Sequence, residues 1–263
     1  MRFTPIMASN SNNWLQGKRI LVTRPERQAE SLVAAIQAQG GEAIRCPVLA
    51  ITPNIITQSG KQKIINLDQY DDLVFISTNA VRFGFELIAD YWPQLPAHLR
   101  FFAVGKSTAA CLEAESVRVS VPATGFNSEA LLQLPELQQL SHRRVLIFKG
   151  EGGRELLAQS FTERGAQVES LELYLREALS YSAEQLQTLF DGGLPDALIA
   201  TSVDVLTALD ALLKSCLVSR FELPLVVASE RIASAAKGLG YQQIITSSGA
   251  ADESIVKALN VIG

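Results

Sequence analysis

A pattern that returns after about 124 residues constrains this chain more than any other feature it carries. Asp72–Thr78 (DLVFIST) is restated by Asp196–Ser202 (DALIATS), Phe102–Gly105 by Val226–Ser229, and Ser128–Leu132 by Asp252–Val256, all at an offset of 124. Arg19–Thr23 is restated by Arg144–Phe148 at an offset of about 125. Short β patterns that agree by chance do not hold one offset across several blocks, so the chain reads as an ancestral duplication. Its 263 residues, 48% hydrophobic and 19% charged, suffice for two cores of ordinary domain size.

Within each copy, short apolar runs alternate with helical patterns. Arg19–Thr23, Asp72–Ile76, Phe101–Val104, Val117–Val121 and Arg144–Phe148 read as strands, with helices over about 28–39, 80–89 and 155–163 between them. Continuous apolar strands separated by helices predict an α/β fold whose parallel sheets are covered on both faces. Two further stretches, Ala43–Ile51 and Glu169–Ala178, follow a helix and a Gly in each copy and lead out of it. They are expected to pair as a two-stranded β ladder between two lobes. Residues 1–46 with 174–263 would then form one lobe, and 47–173 the other.

Several function classes lose support on composition and motif. A net charge of −4 offers no footprint for nucleic acid or an anionic membrane. Met1–Gly17 is polar and reads as a loose leader without a signal-peptide core, and no apolar run approaches the roughly 20 residues of a membrane span, so a cytoplasmic protein is expected. Cys46, Cys111 and Cys216 are scattered without metal spacing and read as small core hydrophobes. With only His98 and His142 in the chain, a catalytic triad or a His-rich metal site has no basis. No dinucleotide fingerprint follows a strand, and Val104–Thr108 fails as a P-loop because Arg100 stands where a Gly is required. Glu151 and Glu155 beside Arg154 suggest local ion pairs rather than an acid/base couple.

What remains is a set of turns at the carboxyl ends of predicted strands. They are Ser77, Thr78 and Asn79; Gly105, Lys106, Ser107 and Thr108; Lys149, Gly150 and Arg154; Thr201 and Ser202; and Ser229 with Arg231. Free backbone N–H groups and the helix dipole make such a turn receptive to an anion, although each alone is equally a Ser/Thr cap with no ligand. Taken together, at the edge where open α/β sheets bind ligands, they predict a ring of anion-ready helix N-termini around a cleft. Tyr174, midway along the second extended stretch, would face whatever the lobes clasp. It is equally a strand tyrosine packed on a neighbour.

The order and spacing of Ile20–Pro25, Phe75–Val81, Ala103–Ala109, Asn127–Leu132, Gly150–Arg154 and Tyr174 resemble the uroporphyrinogen-III synthase family over nearly the whole chain. The resemblance implies two α/β lobes joined by a two-stranded ladder. It also implies a cofactor-independent enzyme of tetrapyrrole biosynthesis that converts hydroxymethylbilane to uroporphyrinogen III. In that reaction the substrate loses its terminal hydroxyl to give an azafulvene, the substituted α-carbon of ring D attacks it, and the spirocyclic intermediate so formed fragments and recloses with ring D inverted. Eight substrate carboxylates would suit the helix N-termini and the cations Arg24, Lys106, Lys149, Arg154 and Arg231. The family's tyrosine falls on Tyr174, a donor to the leaving hydroxyl, and its threonine on Thr108. Tyr174→Phe is then expected to cost turnover and, with the hydroxyl unburied, little stability. A monomer taking its bilane from hydroxymethylbilane synthase is implied. Asp204 and Glu230 depart from the family's turns and put side-chain roles there in doubt. A two-lobed module that binds an anionic small molecule or senses it without catalysis is the other reading.

Overall fold

The computed structural model describes residues 13–125, 127–152, 155–214 and 221–262. They form two compact units. One is drawn from the chain up to Ala50 and from Glu177 onward, and the other from Ile51–Arg176. Arg154 and Cys216, singled out in the sequence, lie outside the described residues.

The first unit holds β1 (Arg19–Val22), α1 (Glu26–Ala38) and β2 (Glu42–Arg45) from the N-terminal side. Into the second fall most of β3 (Leu49–Pro53), then α2 (Gln58–Ile65), β4 (Asp72–Phe75), α3 (Thr78–Ala89), β5 (Arg100–Ala103), α4 (Lys106–Ala114), β6 (Val119–Ser120), α5 (Ser128–Leu131), β7 (Arg144–Gly150), α6 (Leu156–Glu163) and β8 (Gln167–Ala178). The chain then returns to the first unit with α7 (Ala183–Phe190), β9 (Ala197–Ala200), α8 (Val203–Leu213), β10 (Leu225–Val227), α9 (Glu230–Leu239), β11 (Ile244–Thr246) and α10 (Asp252–Leu259).

The sheets run β11-β10-β9-β1-β2 and β3-β8-β7-β4-β5-β6. Leaving β3 aside, they share one order, with β7, β8, β4, β5 and β6 of the second in the places of β1, β2, β9, β10 and β11 of the first. The β1, β2, β9, β10 and β11 pairings are parallel, as are those among β4 to β8. β3 pairs with the far edge of β8, where Asn54 N donates to Leu173 O and Leu179 N donates to Val48 O, so the two strands run in opposite directions. One block sits a residue away from the sequence alignment. Ser77 and Ser202 cap equivalent helices, whereas the 124 offset pairs Ser77 with Thr201.

Alternation within the strands explains why both faces of each sheet are covered. On β1, Leu21 enters one core and Ile20 with Val22 the opposite one. On β4, Leu73 and Phe75 pack on one side and Val74 on the other; β7 divides Leu146 and Phe148 from Val145 and Ile147 in the same way.

Two expectations need correction. Ala43–Ile51 is not one strand: β2 stops at Arg45 and β3 starts at Leu49, with Pro47 between them, where a missing N–H cannot serve a ladder. The second copy has Leu171 in the corresponding stretch, and β8 runs unbroken from Gln167 to Ala178. Nor is the leader loose up to Gly17. Leu15 is fully buried among Ile20, Leu32 and Ile36, and its N–H donates to Gln39 O. The burial of one leucine offsets the ordering of a turn.

Candidate active site

In the second unit, β4, β5 and β7 end on one edge of the sheet, and helix N-termini follow two of them closely. Ser77 has extended backbone geometry and its Oγ accepts from Ala80 N at 3.1 Å, so it is the N-cap of α3. Thr78 and Asn79 fill the first turn, half-buried. Gly105 caps α4; Lys106 and Ser107 are exposed in its first turn, while Thr108 is buried.

β8 carries Tyr174 to the same edge. Its pairing with β7 slips at Lys149/Gly150, and Gly150 comes to lie opposite Tyr174. The slip lets the phenol ring lie on the glycine: a Cβ at Gly150 would stand 2.5 Å from Tyr174 Cε2. On another side Phe83 stacks at 5.9 Å between centroids. Tyr174 is 1% exposed, and its Oη lies 2.8 Å from Ser77 Oγ. Arg176, two residues on, donates an N–H to that Oη at 3.4 Å and has its guanidinium carbon 5.3 Å from the ring centroid. The expectation of an unburied hydroxyl is thus corrected, because the fold needs this ring in its core and gives the hydroxyl partners there. Arg176 itself was not singled out in the sequence. The signal was the period of two along β8, which puts Glu172, Tyr174 and Arg176 in one series.

Lys149 differs from a cation offered outward. It is buried, donates to Glu155 Oε1 at 2.9 Å and lies 3.6 Å from Glu172 Oε1, so its charge is matched inside the unit. Glu155 therefore meets Lys149. Cys111 is only partly buried, and its thiol is pushed up by burial and then by the nearby Glu115. A groove of about 450 Å³ lined by Thr78, Arg82, Phe85, Cys111 and Glu115 runs between α3 and α4, and it takes in none of the Tyr174 cluster.

The first unit repeats the device with its own residues. β1, β9 and β10 are parallel neighbours, and Ser202 Oγ accepts from Val205 N at 3.1 Å while Ser229 Oγ accepts from Ile232 N at 3.5 Å, capping α8 and α9. Arg231 is exposed in the first turn of α9. Arg24, beyond β1, is engaged locally: it donates to Asp252 and to Ala250 O at the start of α10. Asp204 stands exposed in the first turn of α8, where the helix dipole favours an acid without any ligand.

Among the described residues, no three His, Cys, Asp or Glu side chains gather as metal ligands, and no helix is long and apolar enough to cross a membrane. Fold and site together define a doubly wound α/β protein in two units of matching strand order, each with helix N-termini gathered at one sheet edge and the second with a buried tyrosine bonded there to Ser77 and Arg176. Within that class, the chain belongs to the uroporphyrinogen-III synthase family: the family model HEM4, Uroporphyrinogen-III synthase HemD, matches residues 30–257. It is 33% identical over 246 residues to the uroporphyrinogen-III synthase of Escherichia coli K12, covering 91% of this chain and 99% of that one. With the Salmonella typhimurium LT2 uroporphyrinogen-III synthase it shares 35% identity over 247 residues, covering 91% and 99%. The fold is similar to a mutant uroporphyrinogen III synthase from Thermus thermophilus (TM-score 0.63, 16% identity, 94% of this chain and 98% of that one). It is also similar to the Helicobacter pylori 26695 enzyme (TM-score 0.61, 11% identity, 94% and 99%).

Proposed function

We propose that this protein is a uroporphyrinogen-III synthase in haem biosynthesis, cyclising hydroxymethylbilane to uroporphyrinogen III with inversion of ring D. Near full-length agreement with relatives of that name carries the reading. The reaction is a cofactor-independent loss of water followed by ring closure, which makes the enzyme a cyclising lyase. We read it as a cytoplasmic monomer that receives its bilane from hydroxymethylbilane synthase.

The chemistry asks for two things. A flexible, eight-carboxylate chain must be held folded, and the terminal hydroxyl must leave as water. For the first, each unit by itself offers helix N-termini whose N–H groups and dipoles favour carboxylates: α3 and α4 with Lys106 in the second unit, α8 and α9 with Arg231 in the first. Gly105, Ser107, Ser202 and Ser229 belong to this binding role. For the second, Tyr174 is the proton source, and the spiro intermediate then follows from attack by the substituted α-carbon of ring D. Arg24 and Lys149 serve by holding the loops after β1 and β7 through Asp252 and Glu155.

Incubation with hydroxymethylbilane, followed by oxidation and chromatographic separation of the isomers, tests the reading. The type III isomer is expected. Spontaneous closure gives type I, so a product ratio no different from the enzyme-free control would refute the activity and return the chain to a binding role.

A further inference from the structure

The phenol proposed as proton source is 1% exposed, whereas the serine bonded to it is only half-buried. Counting donors decides what the pair can do. Ser77 Oγ already accepts from Ala80 N at 3.1 Å, and Tyr174 Oη accepts from Arg176 at 3.4 Å. Two hydroxyl hydrogens remain, and the 2.8 Å bond between the oxygens uses one of them in either direction. When Tyr174 donates to Ser77, the hydrogen left over is that of Ser77, on the more exposed of the two groups.

We infer that Ser77 is the group that meets the leaving hydroxyl, and that Tyr174 refills it from behind. The inference rests on the synthase reading. Ser77 O–H protonates the substrate's hydroxyl as the carbon–oxygen bond breaks, so water departs and the positive azafulvenium form of the pyrrole remains. The phenol proton passes to Ser77 Oγ in the same motion, which leaves a phenolate next to the Arg176 guanidinium. After the rearrangement, ring D gives up the hydrogen from the α-carbon at which it recloses, and that proton returns through Ser77 to Tyr174. One hydroxymethylbilane yields one uroporphyrinogen III and one water, and the enzyme is restored. Arg176, which donates to the phenol and to Glu151 O at 3.4 Å and acts on the substrate only through the phenol, is a positioning residue in this scheme.

Ser77 is also a helix cap, so the test must separate the cap from the hydroxyl. Glycine is nearly as good an N-cap as serine, while threonine keeps both cap and hydroxyl. Ser77→Gly should lower single-turnover kcat by roughly tenfold to a hundredfold, at or below the low end of what a positioned acid contributes. KM should stay within about twofold, and the type I fraction should rise. Ser77→Thr should restore most of the rate. Tyr174→Phe should lose less than Ser77→Gly, and the double variant should be no slower than Ser77→Gly alone, because the phenol acts only through the serine. The solvent isotope effect on the wild-type step should show two protons in flight, and that on Tyr174→Phe one. Full kcat in Ser77→Gly, a rise in KM alone, or multiplicative losses in the double variant would each overturn the relay. A wild-type protein that makes only the type I isomer would instead refute the synthase reading on which it rests.

Discussion

At the scale of single residues, the glycine under Tyr174 matters as much as the tyrosine. A methyl at Gly150 would collide with a ring that is buried and stacked on Phe83, so neither partner can yield cheaply. Gly150→Ala should therefore destabilise the second unit by about 1–3 kcal/mol, the range for overpacking, and should raise the type I fraction by moving the phenol. Chemical denaturation and the isomer ratio check the two halves separately. Tyr174 could be picked out from the sequence, but its burial could not, because the slip between β7 and β8 that seats it on Gly150 has no local signature. The hydroxyl turns were legible for the opposite reason. Ser77, Ser202 and Ser229 each follow an apolar strand and precede a helical pattern, and capping chemistry is local. That Lys149 and Arg24 spend their charge on Glu155 and Asp252 depends on contacts between elements, which spacing does not reveal.

Among the elements, the opposite edge of the second sheet is pinned by charge. Asp72, at the start of β4, is fully buried and accepts two hydrogen bonds from Arg100 on β5 and two from Arg143 just before β7, at 2.6–2.9 Å. Asp72→Ala leaves two cations facing an apolar gap. A loss of about 3 kcal/mol is expected, at the low end for a broken buried pair because both arginines are partly exposed; thermal unfolding measures it. Nearby, Glu169 on β8 accepts from the Tyr70 hydroxyl and lies near Lys63 and Arg144. The tyrosine bond first, and then the two cations, hold its carboxyl below the usual range. A depressed carboxylate gives stability that is present above its unfolded value and lost as pH falls through the folded one. Glu169→Gln should accordingly be less stable than wild type at neutral pH, with the difference shrinking below about pH 4.5. Urea midpoints across pH 3–7 would show it. The strands themselves were readable as apolar runs, and only Pro47 hid a break: it divides a stretch whose hydrophobic pattern continues across it.

For the whole molecule, the 124-residue repeat made the common strand order readable, since each copy brings the same sequence of βα units. Which residues share a unit is less local, for it depends on where β3 and β8 carry the chain across. Ile51–Arg176 contains the entire β4 to β7 core together with the helices α2 to α6, without help from either chain end. Expressed alone, residues 51–176 should unfold cooperatively in urea with protected amides in β4, β5 and β7. Residues 1–50 alone should give no transition, since β1 would lack β9, its partner on one side.

The place of β1 in its sheet sets a timetable for the chain on the ribosome. Its partner β2 emerges almost at once, but the strand on its other side begins only at Ala197, after the whole second unit has been made. Until then Ile20–Val22 present an open, apolar sheet edge, the kind of surface that recruits another strand or a chaperone. Nascent chains arrested before Ala197 should therefore hold a folded second unit and still co-purify with chaperones, and chains released past Thr246 should not.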